Sequence, residues 1–517
     1  MSTRILWVDD EIDSLKSQLL FLTNKGYEVH SLTNGFDAID YVQEHSVDVV
    51  LLDESMPGLT GLETLAKIKA FRPTLPVVMI TKNETENLME EAIGSQISDY
   101  LIKPVNPNQV LLSLKKLLDN KRLIGEKTTS AYQQEFRNLF MALNSSPDHK
   151  EWRDIYKKLV YWEMEMDKSD SPEMREVFQT QKQEANVEFF KFISRNYAHW
   201  VSPRSTGAPV MSHTLLKEKV LPEVKPGVST FMILIDNLRL DQWRAIQPVF
   251  GELFRVVEED TFYAILPTAT QYARNAIFSG LLPIDIDKKF PKEWKYDDEE
   301  GGKNLHEEMF FHAQLKRLGK DKMRTSYTKI LTNDAGQQLV NNIHNLLGND
   351  LNVIVYNFVD MLSHARTEME VLKELANDER SYRSITRSWF EHSPLYEALK
   401  RIADKNIRIV LATDHGSIRV QTPARVIGDR ATTTNIRYKH GRNLNYEPKE
   451  VLAFRNPTEA GLPTPNVNSS YIFAREDTFL CYPNNYNHFV NYYKNTFQHG
   501  GVSLEEMIVP VVVMEPK

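Results

Sequence analysis

The chain has 517 residues, too many for one ordinary core, so two to four domains are expected, each with room for a substantial apolar interior. Its 62 basic and 70 acidic residues leave a formal charge of -8, which argues against a dominant electrostatic hold on nucleic acid or on an anionic membrane. A single cysteine, Cys481, excludes an intrachain disulfide and a thiolate zinc cluster, and no apolar run approaches membrane-spanning length.

The opening Met1-Ser2-Thr3-Arg4 leads straight into a strand without a signal-peptide pattern, so the expected location is cytoplasmic. Up to about residue 122 short apolar strands alternate with amphipathic helices: Ile5-Leu6-Trp7-Val8, then 47–52, 76–80 and Tyr100-Leu101-Ile102. That is the rhythm of a parallel sheet covered on both faces. From about 123 to 205 the strand signal gives way to helix-spaced apolar residues, Phe136, Leu139, Phe140 and Leu143, then Trp152, Ile155, Tyr156 and Leu159, which predict a small helical bundle. Ser171-Pro172-Glu173 reads as a helix start, with a capping hydroxyl, proline in the first turn and an acid beside it. The breaker-rich stretch 202–209 marks a boundary, and a second α/β pattern begins at Thr230-Phe231-Met232-Ile233-Leu234-Ile235 and runs to residue 517. The acidic run Asp297-Asp298-Glu299-Glu300-Gly301-Gly302 is expected to be a solvated loop.

Near the N-terminus, Asp9-Asp10, Asp53, Thr81 and Lys103 each fall at the C-terminal end of a predicted strand, where open parallel sheets place ligand sites. Asp10 and Asp53 supply hard oxygens for Mg²⁺ with Asp9 adjacent, and Asp53 can attack a phosphohistidine as a nucleophile. Lys103 can neutralise phosphoryl oxygens, and Thr81 can hydrogen-bond to the acyl phosphate. In Val8-Asp9-Asp10-Glu11, Leu52-Asp53-Glu54-Ser55-Met56-Pro57-Gly58 and Leu101-Ile102-Lys103-Pro104-Val105 this segment resembles the CheY-like receiver domains of two-component response regulators. The resemblance implies phosphorylation at Asp53, Mg²⁺ held by Asp9, Asp10, Asp53 and Ser55, and Tyr100 as a switch aromatic, though packing alone also explains Tyr100.

Further on, Asp236 closes the strand from Phe231, Asp360 closes the apolar run 353–359, and Asp414-His415 closes 407–413. Carboxylates crowded at one sheet edge would raise each other's pKa, so bound cations are the natural explanation, and the imidazoles favour zinc. Thr270, in Leu266-Pro267-Thr268-Ala269-Thr270, sits where a turn opens a helix, a place that favours an alkoxide. The order Asp, Thr, Asp360-x-x-x-His364, Asp414-His415 and a late His499-Gly500-Gly501-Val502-Ser503 resembles the alkaline phosphatase superfamily, and within it the PglZ branch. Carried over by position, Asp360, His364 and His499 would bind one Zn²⁺, and Asp236, Thr270, Asp414 and His415 the other, with Thr270 as catalytic nucleophile.

Threonine at that position is the nucleophile of the superfamily's nucleotide phosphodiesterases, which tilts the expectation toward diesters. The stretch Arg437-Tyr438-Lys439-His440-Gly441-Arg442-Asn443 reads either as a grip for a polyanionic substrate, through Lys439, His440 and Arg442, or as a solvated basic loop. Arg239 and Arg274 read either as phosphate contacts or as structural ion-pair partners.

In series, a doubly wound receiver domain (1–122), a helical bundle linker domain (123–205) and an alkaline-phosphatase-like α/β domain (206–517) make an α/β multidomain chain that resembles the PorX-type response regulators, linked to type IX secretion. The resemblance implies a sensor histidine kinase upstream, a zinc-dependent phosphodiesterase acting on nucleotide signals or oligonucleotides, a homodimer on phosphorylation and contact with a sigma factor. From another class, the C-terminal domain reads as a non-catalytic, metal-stabilised platform that docks to a sigma factor.

Overall fold

Alternation of four- and five-residue apolar strands with helices at the N-terminal end produces a parallel sheet: β1 (Arg4–Val8), β2 (Glu28–Leu32), β3 (Val49–Asp53), β4 (Val77–Thr81) and β5 (Asp99–Ile102) in the order β2-β1-β3-β4-β5. Every pairing is parallel. β3 is buried along its whole length because helices cover both faces. One face gathers Leu6, Val50, Leu52, Leu65 and Ile68, the other Ile5, Trp7, Leu51, Ile80 and Val110. Side-chain caps fix the helix entries: Asn34 caps Gly35–Glu44, and Thr60 with Glu63 forms a reciprocal capping box on Gly61–Phe71.

The structure, a computed structural model, describes residues 3–72, 75–82, 97–168, 172–362, 378–429, 432–466 and 468–517, with side chains at 116 and 118–131 outside that description. Two compact units divide the chain, 1–131 and 132–517. No described helix is long and apolar enough to cross a membrane.

The second unit opens with the end of the helix Pro107–Asn144, followed by His149–Asp167 and Pro172–Trp200. The helix start predicted around Pro172 is present, while Ser171 lies outside the described residues. These helices are amphipathic, and their apolar faces merge with the core of the α/β domain. Trp152 meets Phe189 edge to face, Phe189 stacks on Tyr263, and Trp200 lies against Tyr263. Polar ties reinforce the seam: Tyr263 donates to the His149 carbonyl, Arg153 donates to Asp260 and to the Thr261 carbonyl, and Tyr197 accepts from Leu266 N–H.

The α/β domain is built on β6 (Ser229–Ile235), β7 (Phe254–Tyr263), β8 (Thr325–Ile330), β9 (Leu351–Tyr356), β10 (Ile407–Ala412) and the C-terminal strand Ile508–Pro516. Their order is β7, C-terminal strand, β10, β6, β9, β8. β10, β6, β9 and β8 run parallel, and the C-terminal strand is antiparallel to both β10 and β7. β6, β9 and most of β10 are buried on both faces, as their unbroken apolar runs require. Short strands and loops between 418 and 502 form a cap of small sheets beside the main one.

Candidate active site

In the first unit, Asp9, Asp53, Thr81 and Lys103 all emerge at the C-terminal ends of neighbouring parallel strands, where the strand order reverses around β1 and β3. Asp9 and Asp53 are buried, Asp10 is exposed, and one carboxylate oxygen from each lies within 4.8 Å of the others. The Lys103 ammonium reaches Asp53 Oδ2 at 2.8 Å and Asp9 Oδ2 at 2.9 Å. Burial raises the Asp53 pKa, with the nearby Asp9 adding to it against the hydrogen bond from Lys103. Burial alone would lower Lys103, but its bonds to both carboxylates reverse the sign and hold it above the ordinary lysine value. Asp53 Oδ1 is buried without a hydrogen-bond donor, an opening suited to a cation. Thr81 donates to Glu54 Oε2, Ser55 is exposed at the pocket rim, and Tyr100 on β5 is 42% exposed.

In the second unit the carboxylates expected at three strand tips gather, with one correction. β9 stops at Tyr356, and Asp360 rides on a helical turn over 358–362. A short all-apolar run does not distinguish strand from helix by periodicity, which is why 353–359 read as one strand. Asp236, directly after β6, and Asp414 and His415, just beyond β10, are fully buried, and their ligating atoms lie within 4.8 Å of one another. Thr270, the first residue of the helix Thr270–Ser279, puts its Oγ1 3.0 Å from His415 Nε2 and 3.3 Å from Asp236 Oδ1. The His499 ring stacks on His415 at 4.2 Å, and its Nε2 is 3.5 Å from Asp360 Oδ1. His364 lies outside the described residues.

Two backbone carbonyls orient the imidazoles. His415 Nδ1 faces the Gly416 carbonyl at 3.0 Å, and His499 Nδ1 faces that of Thr268 at 3.2 Å. A carbonyl only accepts, so each Nδ1 carries the proton and each Nε2 turns a lone pair toward the carboxylates. Burial pushes Asp236 well above the ordinary carboxylate range, with the Asp414 charge adding to it, and burial likewise raises Asp414. Asp414 Oδ2 accepts no hydrogen bond despite being buried. Lone pairs from imidazole, crowded carboxylates and an orphaned buried oxygen form a donor set that could hold a divalent cation, and their mixture fits zinc better than Mg²⁺.

Arg274 inserts among these acids, donating from Nη1 to Asp236 Oδ2 at 2.7 Å and to Asn357 Oδ1 at 3.2 Å, and from Nε to Glu307 at 2.5 Å. Arg239 turns elsewhere: buried, it grips Asp241 and reaches Glu379 at 2.5 Å, beneath the rings of Tyr382 and Phe497. The basic stretch around 437–443 departs from the expected solvated loop, because Tyr438–Gly441 is a buried strand. Arg437 is fully enclosed against Glu506, Lys439 donates to the Thr433 carbonyl over the Tyr482 ring, and His440 stacks on Tyr471. Burial drives the Lys439 pKa down to about 7 and that of His440 to about 4. Of the basic side chains in this stretch, Arg442 is the one open to solvent, 3.9 Å from Asp429. The acidic run at 297–302 also departs from a solvated loop at its first residue: Tyr272 and Tyr438 both donate to Asp297, at 2.8 and 3.1 Å.

Sequence reasoning missed three residues that hold the site. Asn237, at φ 61°, donates its main-chain N–H to Asp414 Oδ1 (3.2 Å) and its amide to Asp360 Oδ1 (3.3 Å), tying the two carboxylates together. Asparagine adopts that left-handed backbone more readily than most side chains, which is the one signal the Asp236-Asn237 pair offered. Thr268 Oγ1 accepts from Gly500 N–H and donates to the Gly501 carbonyl, so the Thr270 turn and the His499 loop are bound to each other. Glu506 takes Gly501 N–H, the Ser503 hydroxyl and the Arg437 guanidinium, closing the same loop from behind.

Comparison with known proteins places this geometry. Residues 215–514 match the alkaline phosphatase-like domain of BREX-system PglZ, 122–201 the PorX response regulator linker domain, and 5–115 the response regulator receiver domain. The chain belongs to the PglZ family, as a PorX-type response regulator. Curated relatives of this PorX-type chain match about a quarter of it. Transcriptional regulatory protein ZraR of Klebsiella oxytoca is 36% identical over 132 residues, 26% of this chain and 30% of that protein. Transcriptional regulatory protein SrrA of Staphylococcus aureus is 32% identical over 118 residues, 23% of this chain and 48% of that protein. The chain thus spans less than half the length of either relative. Among solved structures, chemotaxis protein CheY4 of Vibrio cholerae is 27% identical at a TM-score of 0.22, covering 23% of this chain and 99% of its own. A CheY-like receiver from Methanospirillum hungatei JF-1 is 28% identical at 0.23, with 23% and 96% coverage.

Proposed function

We propose that phosphoryl transfer from a sensor histidine kinase to Asp53 controls a zinc-dependent phosphodiesterase centred on Thr270, acting on nucleotide signals or oligonucleotides in the regulation of type IX secretion. In this reading residues 1–122 receive the signal, 123–205 transmit it and 206–517 carry out the chemistry, in the cytoplasm. Phosphorylated chains pair as homodimers, and a sigma factor is a further partner. The reading rests on one observation above all: a threonine hydroxyl stands 3.0 to 3.3 Å from a buried carboxylate and imidazole that offer their lone pairs to a cation.

Asp236, Thr270, Asp414 and His415 would hold one Zn²⁺, and Asp360, His364 and His499 the other; Asp9, Asp10, Asp53 and Ser55 would hold Mg²⁺ in the receiver. When bound, the zinc ions supply Lewis acidity toward phosphate oxygens and toward the Thr270 hydroxyl. Thr270 Oγ1 forms the new bond to phosphorus while the bond to the leaving alcohol breaks, with His415 Nε2 at 3.0 Å and Asp236 Oδ1 at 3.3 Å as the acceptors within reach of its hydroxyl proton. Asn237 holds Asp360 and Asp414 in register, and Arg274 keeps positive charge beside the acids. Water then cleaves the phosphothreonine in the second half of the reaction.

Chromogenic phosphate mono- and diesters, assayed with Zn²⁺ and with EDTA, test the chemistry. The expected result is metal-dependent cleavage of the diester, and Thr270→Val should keep its zinc while losing turnover by roughly a hundredfold or more. Silence on every substrate with zinc bound would leave the metal-stabilised docking platform as the better account. Sedimentation with a small phosphodonor tests the switch: wild type should shift toward dimer and Asp53→Ala should remain monomeric, and equal behaviour of the two would remove Asp53 as the trigger.

A further inference from the structure

A cavity of about 750 Å³ opens between the linker helices, the start of the helix Glu379–Glu391 and the segment that follows the His415 loop. Three arginines enter it from three walls: Arg175 on Pro172–Trp200, Arg380 on Glu379–Glu391 and Arg419 on the short strand Ile418–Arg419. None of the three has an ion-pair partner among the described residues, and the Nε of both Arg175 and Arg419 is buried with no hydrogen-bond acceptor. Most acids of the same walls are held by other cations. Lys182 holds Glu163 and Glu505 at 2.9 and 3.1 Å, Arg383 holds Asp167 at 2.7 Å, Arg239 holds Glu379, and Arg475 holds Glu476. Asp378 caps its helix by accepting from Ser381 N–H and feels the Arg419 charge, the Arg380 charge acts on Asp167, and Asp477 is the remaining acid of the lining.

Buried guanidinium N–H groups without acceptors are costly, so such a cavity is built for a partner that supplies acceptor oxygens. Guanidinium forks converging from several directions match the terminal oxygens of a phosphate better than a planar carboxylate, which one fork satisfies. The volume is in the range of small-molecule sites and far exceeds one phosphate, while Met166, Phe178 and Ile418 provide apolar wall for an organic group. We propose that this cavity binds an organic phosphate monoester, its phosphate held by Arg175, Arg380 and Arg419 and its organic part against Met166, Phe178 and Ile418. This site is separate from the one built on Thr270 and does not depend on the phosphodiesterase reading. A ligand joining Arg175 to Arg419 ties the linker helices to chain only four residues beyond His415. Glu505, in the same wall, presses its carbonyl against Gly416. Occupancy therefore bears on the His415 loop from behind.

The test uses the full chain in EDTA, so that neither acidic cluster carries a cation, with adenosine monophosphate as probe and adenosine as control. The nucleotide should raise the melting temperature saturably and adenosine should not. Arg419→Gln should weaken the apparent affinity by about tenfold or more, as should Arg380→Gln, which is exposed and leaves the fold intact. Thr270→Val should bind as wild type does. Absence of a shift at millimolar nucleotide overturns the proposal, as does an undiminished shift in both arginine variants. A shift that vanishes in Thr270→Val would assign the nucleotide to the Thr270 site and equally overturn it.

Discussion

Lys439 shows how burial sets the behaviour of a single residue. It lies inside a small sheet with one carbonyl and one aromatic face for company, and its pKa falls to about 7. The sign follows from linkage: between about pH 7 and the ordinary lysine value the unfolded chain binds the extra proton and the folded chain does not, so stability rises with pH across that window. The slope is at most about 1.4 kcal/mol per pH unit. Lys439→Met removes the penalty, so urea unfolding should show the variant more stable than wild type by a margin largest at pH 7 and below, shrinking toward pH 10. A margin independent of pH would mean that Lys439 stays charged in the fold. The same competition between burial and partners acts at Lys103, where two carboxylates win and the ammonium stays charged beside Asp53.

At the scale of elements, the candidate site is a meeting of three loop ends held by backbone hydrogen bonds. The His415 loop passes so close to the short helix Leu504–Met507 that Gly416 N–H donates to the Glu506 carbonyl, and a Cβ at 416 would stand 2.0 Å from the Glu505 carbonyl oxygen. Neither side can yield cheaply, since both are main chain. Gly416→Ala should therefore cost about 3 kcal/mol or more, read as a lowered melting temperature, and should displace His415 enough to reduce zinc content. A variant with wild-type stability and zinc content would show that the loop is softer than this packing implies. The Thr270 turn and the His499 loop are joined through the Thr268 hydroxyl, so the elements carrying Thr270 and the two imidazoles are braced against one another.

Across the whole molecule, the linker helices and the α/β domain share one hydrophobic core within the unit 132–517. Trp152, Phe189, Tyr197 and Trp200 pack on the same interior as Tyr263 and the C-terminal strand, and Asn186 accepts from Leu504 N–H beside the Glu506 that closes the His499 loop. A fragment beginning at 132 should fold cooperatively with a native near-ultraviolet spectrum, whereas one beginning at 206 should expose that face, bind hydrophobic dye and melt earlier. Equal melting of the two fragments would show the shared core to be energetically idle. Through this seam a change in the linker can reach the candidate site by ordinary packing, without a separate relay.

The sequence by itself determined the three-part organisation of strands and helices, and the residue types at both candidate sites, because apolar periodicity and acids at strand ends are local properties of the chain. It also marked Asp236, Thr270, Asp414 and His415, which the fold brings together from positions up to 179 residues apart. Whether a basic side chain meets solvent or the interior is not local. Arg239 and Arg437 became buried ion-pair partners, and Lys439 a buried amine, only because of what the cap sheets and the linker placed around them. The bridging geometry of Asn237, the helical turn that lifts Asp360 and the arginine-lined cavity are likewise tertiary facts. Each depends on the positions of groups far apart in sequence, which spacing along one chain does not encode.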